Sequence, residues 1–65
     1  MIRAVIIDDE QHAVETLQAM LTEFIEDIEV VGSANAIVEG IKVVQNEKPD
    51  LVFLDIEMPY GNGFD

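Results

Sequence analysis

Four consecutive apolar residues, Leu51-Val52-Phe53-Leu54, run without a polar break into Asp55. A second acid, Glu57, follows two residues on, and then Pro59, which cannot continue a central strand. An apolar run with no alternation reads as a strand covered on both faces, the habit of parallel sheets. Asp55 therefore stands where a buried strand surfaces, and in open α/β sheets ligands bind at that carboxyl end.

A second stretch has the same shape. Ile2-Arg3-Ala4-Val5-Ile6-Ile7 is rich in β-branched residues and stops abruptly at Asp8-Asp9-Glu10. Beyond it Val14, Leu17, Leu21, Phe24 and Ile28 recur at three- and four-residue steps, with Ala13 and Met20 beside them, which predicts a helix over about 11–25. The acids Asp9 and Glu10 suit the positive end of that helix. Glu29-Val30-Val31-Gly32-Ser33-Ala34 reads as a weaker strand at the sheet edge. Asn35 is placed to cap a helix running to about Asn46, with Ile37, Ile41 and Val44 as its apolar face and Val38 alongside. Gly40 inside that helix costs about 1 kcal/mol relative to Ala. Asn46-Glu47-Lys48-Pro49 ends it and leads into the Asp55 strand.

Strand, helix, strand, helix, strand makes two crossover units, each expected to be right-handed. If they move outward in opposite directions from the first strand, all three strands are parallel in the order 2-1-3, with one helix on each face. The ends of the first and third strands are then neighbours, and Asp8 and Asp9 come to Asp55.

Composition limits the function. The 65 residues are 49% hydrophobic, too apolar for a disordered segment. Fourteen acidic residues face three basic ones, Arg3, Lys42 and Lys48, giving a net charge of -11. Such a surface does not attract nucleic acid, whose binding depends on Lys and Arg neutralising phosphates. The absence of cysteine excludes a disulfide framework and a thiolate metal site. No apolar run approaches the ~20 residues of a membrane span, and a soluble, cytoplasmic protein without membrane contact is expected.

The acidic triplet Asp8-Asp9-Glu10, the Lys48-Pro49-Asp50 entry, the run Leu51 to Asp55, and Met58-Pro59 followed by Gly63 together resemble the receiver domain of two-component response regulators. The resemblance covers the whole chain and about the first half of the family's module, so residues 1–65 are expected to be the N-terminal portion of one flavodoxin-like α/β receiver domain, truncated to three strands and two helices. It implies that Asp55 is the phosphoacceptor and that Mg2+ is held by Asp9 and Asp55 directly, by Asp8 largely through water, and by the backbone carbonyl of Glu57. It further implies a sensor histidine kinase as phosphoryl donor. It makes the chain a regulatory phosphoacceptor rather than a turnover enzyme. The family's later Ser or Thr switch, phosphate-pairing Lys and switch aromatic have no counterpart here, so weak metal binding and little or no phosphorylation are expected of these 65 residues alone. Ile56-Glu57-Met58-Pro59 with Asn62-Gly63-Phe64 looks most like receivers joined to a LytTR-type output domain, and DNA would be reached only through such a domain.

Elementary electrostatics points the same way. Two carboxylates about 4 Å apart repel by roughly 4 kcal/mol at an effective dielectric near 20, and a hard divalent ion removes that cost.

Competing readings exist for each of these residues. A strand-end acid is commonly a solvated cap; two such strands converging beside Met58-Pro59 favour chemistry. Glu10 is equally a simple helix-start acid. His12, the lone histidine, reads as a solvated surface residue, and Met20, Phe24 and Phe53 as core. Gly61 and Gly63 read as turn glycines. Phosphatases that form an aspartyl-phosphate also place Asp-x-acid after an apolar strand, but as Asp-x-Asp with a nearby Thr or Val. A pure interaction module would need no metal. Finally, the third strand is an open edge in the inferred order, so these 65 residues are expected either to be ordered through self-association, by edge pairing for example, or to be the ordered part of a longer protein.

Overall fold

The computed structural model describes residues 1–55. Glu57, Met58-Pro59, the turn glycines Gly61 and Gly63, and the Asn62-Gly63-Phe64 stretch lie outside the described residues. Five elements alternate: β1 (Ile2–Asp8), α1 (Gln11–Phe24), β2 (Ile28–Ala34), α2 (Ile37–Glu47) and β3 (Leu51–Asp55). The sheet order is β2-β1-β3, and β1 is parallel to both neighbours, as the crossover argument requires.

Strand alternation assigns one helix to each face. Val5 and Ile7 point to the side covered by α2, where Val43 and Val44 close over them with Ala34 and Val31. Ile6 points to the other side and meets Val14 and Leu21 of α1, joined by Leu17, Ile28, Val30 and Phe53. Register would fail on β2 without a correction. Ala4 pairs with Val30 but Val5 with Gly32, so Val31 is an extra residue on β2. This bulge turns Val31 to the α2 face directly after Val30 has faced α1.

Gly40 has a packing reason that outweighs its low helix propensity. It is buried, and a Cβ there would lie 2.5 Å from Ile7 Cδ1, 3.0 Å from Cγ1 and 3.2 Å from Cγ2. The helix thus rests its backbone on the β1 side chain that precedes Asp8. On β2, Gly32 makes the matching concession: a Cβ would stand 2.7 Å from Val43 Cγ1. Gly40→Ala is therefore expected to lower stability by about 1–2 kcal/mol in chemical denaturation, because three atoms of a branched, stiff side chain cannot all retreat. In an unpacked helix the same change would raise it by about 1 kcal/mol, so the sign of the shift tests the packing.

Arg3 ties the opposite end of the sheet together. Its guanidinium donates from Nη1 to the Glu47 carbonyl at 2.6 Å and from Nη2 to Glu47 Oε1 at 3.0 Å, which puts a cation at the C-terminus of α2. Its backbone N–H donates to Asp50 Oδ2, and its carbonyl accepts from the Asp50 N–H. Between them Lys48 takes the left-handed conformation, φ 48, as it closes α2 with its N–H on the Val44 carbonyl. Pro49 follows, which cannot continue a helix.

Three expectations change. Asn35 does not cap α2: the cap position is Ala36, with no side-chain cap bond. Met20 and Phe24 are 50% and 72% exposed, not core. The apolar arc of α1 is wider than the three described strands can cover, so Val14 and Leu21 take the sheet and these two are left at its flank. On α2 likewise Ile37 and Ile41 stay largely exposed, and with Ile7, Val44 and Leu54 they line an apolar groove of about 390 Å³ beside β3.

Candidate functional site

Both runs that end in acids deliver them to the same rim of the sheet. β1 and β3 are parallel neighbours in the register Ile6↔Phe53, Ile7↔Leu54, Asp8↔Asp55, so Asp8 and Asp55 sit directly side by side. Nothing in the local chemistry of two acids would bring them together. The apolar pairing behind them does, with Ile6 and Phe53 in the α1-side core. Asp9 follows Asp8 where the chain leaves the sheet, and Glu10 is the cap residue of α1.

The turn after β1 is held locally. Asp8 Oδ1 accepts the Glu10 N–H at 2.9 Å, an Asp side chain bonding its own backbone two residues on. The Glu10 carbonyl then accepts the N–H groups of Ala13 and Val14 and starts α1. From the other side Asn35 Nδ2 donates to the Asp8 carbonyl oxygen at 3.0 Å. That contact was invisible to the sequence reading, which assigned Asn35 to the following helix.

Asp8, Glu10 and Asp55 border a hollow of about 580 Å³ between the sheet rim and α1, with Thr16, Leu17 and Phe53 among its walls. It is open to solvent, polar at the rim and apolar beneath. His12 also borders it, but its side chain is 94% exposed and, among the described residues, its ion-pair partner is Glu15 at 3.9 Å, which keeps the reading of a surface residue. Among the described residues no Lys, Arg or His forms an ion pair with Asp8, Asp9 or Asp55; the basic Arg3 is spent at the opposite rim. Among the described residues, like charges thus accumulate at one rim with no ion-pair partner.

The donor set suits a hard divalent cation, since these three residues offer carboxylate oxygens only. Among the described residues no group of three or more His, Cys, Asp or Glu side chains is gathered tightly enough to enclose an ion. Magnesium does not need such an enclosure: it keeps several waters and takes one or two carboxylates. Asp8 and Asp55, in register, are two carboxylate residues at the same rim. Glu57, whose carbonyl was the fourth expected contributor, lies outside the described residues.

No helix among the described residues is long and apolar enough to cross a membrane. The family described as "Response regulator receiver domain" matches residues 4–65. The chain is 46% identical over all 65 residues to the "Transcriptional regulatory protein BtsR" of Escherichia coli K12, covering 27% of that protein. It is 46% identical to an "Uncharacterized response regulatory protein" of Vibrio cholerae and 42% identical to one of Shewanella oneidensis, again over its full length and 27% of theirs. It thus spans about a quarter of the length of the relatives it matches. No solved structure matches. A parallel sheet in the order β2-β1-β3 with its strand-end acids on one rim, and a family match that begins inside β1 and runs through β3, lead to one assignment: the chain belongs to the response regulator receiver domain family.

Proposed function

We propose that Asp55 is the phosphoacceptor of a two-component response regulator, charged by a sensor histidine kinase in the presence of Mg2+ held by Asp8, Asp9, Asp55 and the backbone carbonyl of Glu57. The observation that carries this reading is the register pair Asp8↔Asp55 at the open carboxyl rim of the sheet. When bound, Mg2+ supplies positive charge to the acceptor carboxylate and to the oxygens of the group being transferred. An Asp55 carboxylate oxygen attacks phosphorus, the P–N bond of the donor phosphohistidine breaks, and the electron pair leaves with the imidazole nitrogen. The attacking oxygen carries no proton, so no protein base is required.

Asp8 fits an indirect part in holding the ion, because one of its oxygens is already engaged by the Glu10 N–H. Among the described residues Asp9 makes no such bond, which favours it as the direct ligand. The hollow beside Asp55 has an apolar wall made by Leu17 and Phe53.

The whole protein would act in the cytoplasm and pass the phosphorylation state to an output domain outside these 65 residues. The name of the E. coli relative supports an output that regulates transcription, and a LytTR-type DNA-binding domain is the form proposed.

Treating the intact protein with acetyl phosphate tests the reading. One phosphoryl group is expected by mass with Mg2+ present, and none after the ion is removed with EDTA. An unmodified protein under both conditions, or equal modification in both, overturns it.

A further inference from the structure

We infer that Asn35 is a positioning residue for Asp9, acting through the peptide that joins Asp8 to Asp9. The inference rests on the phosphoacceptor reading above and adds to it a residue on β2's side of the rim.

The β1–β2 ladder ends at Ile7↔Ala34. One residue later the Asp8 carbonyl faces β2, but β2 has left the sheet and no longer supplies a backbone donor. The Asn35 side chain takes that place, its amide donating to Asp8 O at 3.0 Å. Asn35 is not engaged in starting α2, whose cap residue is Ala36. Its visible bond is to the acidic turn.

The consequence follows from peptide planarity. The Asp8 carbonyl shares its plane with the N and Cα of Asp9, so a donor fixed on that oxygen fixes the direction in which Asp9 leaves the strand. The Asp8 carboxylate is anchored separately, by the Glu10 N–H. The two bonds divide the work: the internal one sets the Asp8 side chain, and the one from β2 sets the plane from which Asp9 projects. Removing Asn35 therefore releases Asp9 while leaving the Asp8 carboxylate held, and it changes no charge at the rim.

Asn35→Ala in the intact protein separates positioning from stability. Magnesium titration by calorimetry is expected to show binding weakened roughly 3- to 10-fold, in the range for losing one solvent-exposed hydrogen bond. The thermal midpoint should stay within about 2 °C, because the bond is solvent-exposed. In an amide NMR spectrum of the metal-free protein the Asp9 resonance should move more than that of Glu10. Wild-type Mg2+ affinity retained in Asn35→Ala overturns this inference alone, as does an unmoved Asp9 amide. A wild type that binds no Mg2+ overturns the phosphoacceptor reading and the inference together.

Discussion

Ile6→Ala is expected to unfold most of the chain near room temperature. Ile6 is 1% exposed at the centre of the three-stranded sheet, where it meets Val14 and Leu21 of α1 and is bordered by Phe53. Truncating a buried Ile to Ala costs about 2–5 kcal/mol, and the upper part of that range applies where the surroundings cannot collapse into the gap. Here they cannot. Neighbours on both sides of Ile6 are strand residues fixed by the ladder, and α1 is already seated on Val14 and Leu21. A stretch of about 60 residues folding by itself has on the order of 5 kcal/mol or less to lose. Leu54→Ala is the control: that residue is 63% exposed on β3, and its truncation should cost less than about 1 kcal/mol. Urea unfolding followed by circular dichroism compares the two. Equal losses would mean that α1 does not pack on Ile6.

The same contrast marks where the sequence was legible. Two apolar runs that stop at acids, separated by patterns of period 3.6, leave few ways to build a parallel sheet, and β2-β1-β3 is the one in which both helices find a face. Periodicity could not say how wide that sheet is. Met20 and Phe24 lie on the apolar arc of α1 by spacing, yet their exposure depends on whether a strand reaches beneath them, which is a tertiary fact. Gly40 was legible as a cost and illegible as a contact, because the space it vacates is filled by Ile7 from a strand more than thirty residues earlier. The Val31 bulge gave no sign of itself, since Val30 and Val31 are both apolar and each found a core.

At the rim, topology carried more than motif. Once the first and third strands were neighbours, Asp8 and Asp55 had to meet within a residue or so, and the register makes them direct partners. The hydrogen bonds around them were not legible. Asn35 before an apolar-periodic segment is the ordinary signature of a helix cap; only the early exit of β2 from the ladder, with the Asp8 carbonyl left facing it, turns the side chain the other way. Arg3 shows the same limit at the opposite rim. It entered the reading as one of three positive charges, and its bonds to Glu47 and Asp50 depend on the crossover bringing those residues back to the start of β1.

Asp55→Asn should abolish phosphorylation while leaving the fold untouched, and the two halves of that expectation have separate causes. Asparagine matches aspartate in shape, and the pairing of β3 with β1 is made by backbone from Ala4↔Leu51 to Asp8↔Asp55, so the register does not depend on the charge. Among the described residues Asp55 is exposed and β3 is the outer strand. Removing one of two like charges in register relieves repulsion, so the thermal midpoint should hold or rise slightly. The chemistry has no such latitude. A neutral amide oxygen is a poor nucleophile, and its nitrogen lone pair is delocalised into the carbonyl, so attack on phosphorus loses the negative oxygen it requires. With acetyl phosphate and Mg2+ the variant of the intact protein should gain no phosphoryl mass while the intact wild type gains one. A variant that still gains it would place the acceptor on another side chain, and the meeting of Asp8 with Asp55 would then be a consequence of strand order alone.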